Sequence, residues 1–286
     1  KKSKIKRINQ KVKDLFTSKI GNVVISSVDS IVISSFMGLT ALAMYQNYYY
    51  IMSSISSFVF VIFVACTAGI GNGLITDSTK KNYREFNDLS FIIAWMSCFC
   101  VCSFYSLFQP FMKIWVGENM MYGIEVVVLF CIYFYLYILS GIFSTYKDAA
   151  GIWHEDRFRP IIASFLNLLI NITFVKRFGI YAILLSTIIS YIVINIPWLI
   201  YNIFHVLFKK NPKQYIGRML IDIIITFVIC GINGFICSFI SYQGFLGLFY
   251  KGIVCIIIPN VCFFFIFRNT TEFKDCLQLI KRMILR

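Results

Sequence analysis

The sequence predicts an all-α membrane protein of about eight transmembrane helices, and three observations carry that fold class. Of its 286 residues, 59% are hydrophobic and 14% charged, whereas soluble domains carry roughly 45–50% apolar and about 25% charged residues. The apolar residues gather into eight runs near the length a bilayer requires, about 20 residues with a wide range once tilt is allowed. Finally, 23 of the 27 Lys and Arg residues fall in segments 1–19, 76–87, 147–159, 208–218 and 268–286, which eight crossings place on one side. Only Lys113, Lys176, Arg177 and Lys251 fall on the other, so the positive-inside rule puts both ends in the cytoplasm. The net charge of +14 would suggest nucleic acid in a soluble protein. Here the loop bias and attraction to anionic membrane lipid account for it, and no nucleic-acid partner is expected.

In chain order the predicted helices are 18–37, 43–75, 88–109, 122–146, 160–176, 180–207, 216–240 and 247–267. The basic stretch 1–19 precedes the first as a cytoplasmic linker. A signal peptide is not expected, because Asp29 interrupts the first apolar run. The second run exceeds the lipid core, and Gly69, Gly71 and Gly73 are expected to loosen its end. Pro160 suits the first turn of the fifth helix, where its missing N–H is not needed. Pro197 and Pro259 are kink candidates in the sixth and eighth. The last two helices are poorest in polar groups and are expected at the periphery. Asp222 lies near a cytoplasmic end there.

Polar residues at helical spacing mark the inward faces. In the first helix Asn22, Ser26, Asp29 and Ser30 share one side, with Asp29 mid-span. A carboxylate there costs several kcal/mol facing lipid, so it faces a cavity, an ion or a hydrogen-bonding partner helix. Asn47, Tyr50, Ser54 and Ser57 form a stripe in the second helix, a pattern that also serves ordinary helix packing. Ser164, Asn167 and Asn171 form one in the fifth. Together the three stripes suggest a shared hydrated cavity, with Asp29, Asn22, Ser26, Asn47, Asn167 and Asn171 as candidate cavity, substrate or ion contacts.

Between the fourth and fifth helices runs SGIFSTYKDAAGIWHEDRFRP, residues 140–160. Lys147, Asp148, Glu155, Asp156, Arg157 and Arg159 crowd between two apolar runs, beside Trp153, as at a water–lipid boundary. Either these charges solvate a topology-setting hairpin, or Lys147, Asp148, Asp156, Arg157 and Arg159 form a paired-charge gate at a cytoplasmic mouth.

Catalytic chemistry finds little support. There is no Gly-rich phosphate loop and no His-x-x-x-His pair, and the two histidines are His154 and His205. Most of the ten cysteines sit inside apolar runs, and no Cys-x-x-Cys pair occurs. Cys98, Cys100 and Cys102 alternate on one helix, about 200° apart in succession, so they do not converge on one metal. They read as buried small hydrophobes. No catalytic residue, metal or cofactor is expected.

Three stretches resemble a known family. KVKDLFTSKIGNVVISSVDSIVISSFMGL, residues 11–39, is similar to the start of the second half of bacterial polysaccharide transporters. These are the lipid-linked oligosaccharide flippases of the multidrug/oligosaccharidyl-lipid/polysaccharide exporter superfamily. NYYYIMSSISSF, residues 47–58, resembles the helix that follows, and YKDAAGIWHEDRFRPII, residues 146–162, resembles a loop between two helices of the C-terminal lobe. The resemblance covers the chain to about residue 210. It implies two six-helix bundles around a central cavity, often with two extra C-terminal helices. They pass an undecaprenyl-diphosphate-linked repeat unit across the bacterial cytoplasmic membrane by alternating access. On that basis 20–208 is the C-terminal six-helix lobe, 209–286 holds two additional helices and a basic tail, and the N-terminal lobe of the same protein is missing. The expected partners are the lipid-linked oligosaccharide, membrane lipid, that lobe, and a polymerase or other polysaccharide-assembly proteins. The family leads one to expect cationic cavity residues; the stripes here carry Asp29 instead.

Two other readings remain open. One is a cation-coupled small-molecule exporter of the same fold, with Asp29 as ion site. The other is a membrane-embedded glycosyltransferase or ligase, for which Glu118, in a short loop, is the best acid available.

Overall fold

The computed structural model describes residues 2–284; the side chains of residues 2–8, 11, 18, 20, 22–26 and 279–284 lie outside the described residues. Ten α-helices follow in order, and no strand occurs among the described residues. They are α1 Lys2–Phe36, α2 Leu39–Thr76, α3 Thr79–Trp115, α4 Ile124–Ala150, α5 Arg159–Phe178, α6 Ile180–Ser190, α7 Ile196–Tyr201, α8 Lys213–Ser238, α9 Gly244–Phe267 and α10 Thr271–Ile284. Seven stretches are long and apolar enough to cross a membrane, α6 through Phe208 counting as one, and α1 adds the shorter apolar segment Ser27–Phe36. The chain is an all-α, multi-pass membrane protein.

Several helices depart from their predicted limits for physical reasons. The basic stretch expected as a linker is helical from Lys2 and continuous with the first apolar run; Lys, Arg and Gln are good helix formers. α2 runs unbroken through Gly69, Gly71 and Gly73 to Thr76. Glycine weakens a helix by about 1 kcal/mol relative to Ala without ending it. The sixth predicted helix is α6 and α7 joined by a π-helical turn, Tyr191–Asn195, and followed by another, Asn202–Phe208. Pro197 lies between them. Its ring clashes with the carbonyl four residues back, and a widened turn relieves that clash.

The chain forms two compact units. The first is Lys1–Ile75 with Phe143–Pro212, the second Thr76–Ile142 with Lys213–Arg286. In the first, α1 packs along α5, and α5 along α6. The α1–α5 crossing is close because of Gly21: a Cβ there would lie 2.7 Å from Pro160 Cβ and 2.9 Å from the Ile161 backbone nitrogen. Ser164 Oγ donates to the Gly21 carbonyl at 3.1 Å across the same crossing. Small residues let helix backbones approach in this way where lipid supplies no hydrophobic drive.

The second unit is built around α3, with α8 and α9 against it. The pair expected at the periphery is mostly exposed, and each helix turns one face inward: Tyr215, Asp222, Thr226 and Asn233 from α8, and Cys255, Phe263 and Phe267 from α9. Trp95 stacks on Phe263 at 5.5 Å between centroids, and its indole N–H donates to Asn260 Oδ1 at 2.9 Å. Phe91, Phe267 and Phe273 complete the aromatic cluster. α10 is held by charge: both oxygens of Asp275 accept from Arg84, and Glu272 pairs with Arg218. The thiols of Cys98, Cys102, Cys131, Cys230, Cys237 and Cys255 are free and buried in this unit.

Candidate functional site: a buried carboxylate and a tethered loop

The period that aligned polar residues on the first and fifth helices brings them face to face. Asp29 of α1 is buried at 8% exposure, and Asn167 and Asn171 of α5 are buried opposite it. Asn171 Nδ2 donates to Asp29 Oδ1 at 3.0 Å. Thr187 Oγ1 of α6 lies 3.0 Å from Asp29 Oδ2, and the Tyr45 hydroxyl of α2 reaches the same oxygen at 3.5 Å. Behind this front the amides and hydroxyls close on one another. Asn167 Nδ2 donates to Ser186 Oγ at 3.1 Å and Thr187 Oγ1 at 2.9 Å, and Asn171 Nδ2 also meets Asn167 Oδ1 at 3.1 Å. Ser186 Oγ lies 2.6 Å from Asn171 Oδ1 and 2.7 Å from the Ile183 carbonyl.

Each hydroxyl has one proton to give. When Thr187 donates to its own helix at the Ile183 carbonyl, 3.2 Å away, Asp29 Oδ2 loses its nearest donor. Among the described residues no Lys, Arg or His pairs with Asp29. The arrangement is a carboxylate held only by neutral groups on three other helices, in apolar surroundings. A carboxylate in such a setting can carry a proton, and the Thr187 hydroxyl has two acceptors within reach, Asp29 Oδ2 and the Ile183 carbonyl.

The side chains of Asn22 and Ser26 are outside the described residues. Asn47 is half-buried and not part of the network, and along its stripe Tyr50 and Ser57 are exposed, because the buried face of α2 is Tyr45, Tyr48, Met52 and Ser56.

The charged stretch is positioned by the ends of its two helices. Lys147-Asp148-Ala149-Ala150-Gly151 finishes α4 with a left-handed glycine, Gly151, at φ 67°. Its N–H donates to the Asp148 carbonyl at 3.1 Å, and that of Ile152 to the Lys147 carbonyl at 3.0 Å. This pair of bonds is the Schellman cap that glycine makes accessible. Asp156 then sits just before α5, where the positive end of the helix dipole favours a carboxylate.

Asp156 is completely buried. Its Oδ2 lies 3.1 Å from Lys147 Nζ, and Arg159 grips both oxygens, Nε to Oδ1 at 2.7 Å and Nη2 to Oδ2 at 2.9 Å. Lys147 and Arg159 are also buried, at 6% and 7% exposure. The π-helical turns aim two amides at this group: Asn195 Oδ1 accepts from Arg159 Nη1, and Asn202 Nδ2 reaches Asp156 Oδ1 at 3.5 Å. Asp148 is the exposed member, 3.0 Å from Lys147 Nζ and 3.2 Å from the Trp153 indole nitrogen.

Arg157 turns away to Asp14 of α1, Nη1 to Oδ1 at 3.3 Å, while His154 Nδ1 lies 2.9 Å from Asp14 Oδ2. Burial pushes the Asp14 carboxyl up, but hydrogen bonds from His154, Arg157 and Gln10 outweigh it and hold the group below its ordinary value. The five charges singled out from sequence thus form a buried triad, Lys147–Asp156–Arg159, with Asp148 at its edge and Arg157 as a tether to α1.

Tyr45, Ser186, Thr187, Asn195, Asn202 and Asp14 were not singled out from the sequence, and His154 stood there only as one of two histidines. An adjacent Ser-Thr pair in the apolar run YAILLSTIIS was the available signal for α6. The two Asn residues are seven positions apart, which a regular helix also places on one side. Compared with protein-family models, curated proteins and solved structures, the chain matches none.

Proposed function

We propose that the chain is the transport lobe of a bacterial cytoplasmic-membrane flippase. It moves an undecaprenyl-diphosphate-linked oligosaccharide outward for surface-polysaccharide synthesis, with a second lobe completing the cavity and both ends of this segment cytoplasmic. The cargo class comes from the resemblance at residues 11–39, 47–58 and 146–162. The structural observation that supports transport is Asp29: an acid buried among apolar helices and held by neutral donors on α2, α5 and α6. Ionisable groups at such depth mark ion or substrate pathways by default. In this reading Asp29 binds a proton or cation in one state of the cycle, and the Lys147–Asp156–Arg159 triad fixes the hairpin at the cytoplasmic end. Among the described residues no irregular stretch between helices, π-helical turns included as helix, exceeds eight residues, which leaves little room within them for a catalytic module and favours transport over a glycosyltransferase.

The test is Asp29→Asn, made in the full transporter and expressed in a host whose own lipid-linked oligosaccharide export is deleted. Surface polysaccharide should fall at least tenfold while the protein stays near its normal membrane abundance. Normal polysaccharide from the variant removes Asp29 from the mechanism. A wild-type protein that restores no polysaccharide but expels small cations in exchange for protons or Na+ identifies the exporter instead.

A further inference from the structure

The second unit contains an acid whose surroundings differ from those of Asp29. Asp222 of α8 is 9% exposed, and its Oδ1 has no hydrogen-bond partner among the described residues. It lines a cavity of about 20 Å3 together with Ser90 and Ser97 of α3, Tyr135 of α4, and Tyr215 and Arg218 of α8. A space needs roughly 10–15 Å3 to hold one water, so this cavity takes one water or one ion of similar size. Ser90 Oγ and the Tyr215 hydroxyl lie 3.2 Å apart at its wall.

The local charges do not balance. Arg84 is engaged by Asp275 and Arg218 by Glu272. Asp88, 9% exposed, also has a bare Oδ1, and with Asp222 it leaves two carboxylates against no further Lys, Arg or His ion pair among the described residues. An unpaired buried carboxylate costs several kcal/mol, and either a proton or a cation offsets it. The available ligands are oxygens: the Asp222 carboxylate and the hydroxyls of Ser90, Ser97, Tyr135 and Tyr215. Oxygen suits hard cations. A single carboxylate balances one positive charge, which favours a monovalent ion over Ca2+, whose sites gather several carboxylates, and over Mg2+, which keeps several waters that this space does not hold.

We propose that this cavity is a Na+ site, with Asp222 as its anionic ligand and Ser90 and Tyr215 as neutral ligands. Bound Na+ joins α3 to α8 and stabilises the second unit. The site is separate from Asp29 and independent of the cargo assigned above.

The experiment uses the whole chain, purified in detergent, with thermal unfolding and 22Na+ binding measured in NaCl and in choline chloride at equal ionic strength. Saturating Na+ should raise the unfolding midpoint by about 5–10 °C. Asp222→Asn should abolish that shift and remove one bound Na+ per chain, while Asp29→Asn keeps the shift. Tyr215→Phe and Ser90→Ala, which retain the shape of α3 and α8, should each weaken Na+ binding several-fold, and they decide the matter if Asp222→Asn does not fold. A shift that survives in Asp222→Asn, or unchanged affinity in both milder variants, overturns the site. Stability that follows pH identically in Na+ and choline assigns the cavity to a proton and overturns Na+.

Discussion

The two units treat their buried acids differently. In the first, Asp29 and Asp156 are surrounded by donors: two hydroxyls and an amide for one, two cations and an amide for the other. In the second, Asp88 and Asp222 each keep an oxygen that accepts nothing among the described residues. A fully partnered acid holds helices together, and its removal leaves its partners stranded. An acid with a bare oxygen holds little together until something binds it. The contrast separates acids that hold helices together from acids with a bare oxygen: Asp156 belongs to the fold, Asp222 to the proposed Na+ site, and Asp29 lies between, satisfied by neutral groups that one hydroxyl rotation can withdraw.

The sharpest break of that contrast is Asp156→Ala. Lys147 and Arg159 would remain buried with no carboxylate between them, and stranding a buried charge costs about 3–5 kcal/mol. The variant should lose most of its folded protein, read as the thermal midpoint in detergent or as membrane abundance. Asp222→Asn, measured without Na+, should unfold near the wild-type midpoint, since the carboxylate it replaces makes no ion pair within 4 Å and leaves one oxygen without a donor among the described residues. Equal losses in the two variants would dissolve the distinction between the units.

How far the sequence disclosed this contrast depends on what periodicity can report. Hydropathy located the spans, because burying backbone in lipid demands long apolar helices. The 3.6-residue period put Asp29 on one face and Asn167 and Asn171 on another, and those faces meet. Periodicity names a face without naming its partner, so Thr187, 158 positions beyond Asp29, was not legible as its donor. Nor was Asn47 excluded: its stripe is as regular as the others, but the packed face of α2 is the aromatic one. The charge run at 147–159 read as solvated or gating because density alone does not reveal depth. Burial of Asp156 requires the Schellman turn, the start of α5 and the π-helical turns together. Asp222 looked ordinary near a helix end, and only the cavity and the bare oxygen set it apart.

A middle-sized effect is expected at Gly21, which allows the first unit's Asp29 network to close. Alanine there would press into Pro160 Cβ and the Ile161 backbone nitrogen, and backbone cannot step aside as a flexible side chain does. Overpacking of this kind costs about 1–3 kcal/mol. Gly21→Ala should lower the thermal midpoint and, by spreading α1 from α5, loosen the Asn171–Asp29 bond, seen as faster hydrogen exchange in 164–172. Gly217→Ala is the control, since nothing lies within 4 Å of a Cβ at that position. Equal behaviour of the two variants would show that the close crossing contributes nothing.

The smallest effect concerns the tether from α1 to the loop, a partnered acid of the first unit that lies outside the membrane spans. Asp14 is 3% exposed and meets His154, Arg157 and Gln10. Its carboxyl titrates below the ordinary value because those hydrogen bonds outweigh burial. A carboxyl depressed in the folded state binds its proton more readily when unfolded. Its stabilising contribution is therefore complete above the unfolded value, about 3.9, and is lost as pH falls through the lower folded one. Wild type should exceed Asp14→Asn in thermal midpoint by less than about 3 °C near neutrality, because the Asn oxygen still accepts from Arg157 and only the charge is lost, about 1 kcal/mol in a chain this long. The gap should hold to about pH 5 and close below pH 4. Taking the difference between variants cancels the other carboxylates, which titrate alike in both. A gap that widens on acidification would mean that protonated Asp14 makes the better contact, and that Arg157 draws its place in the loop from the Phe158 ring beneath its guanidinium, 4.7 Å away, rather than from α1.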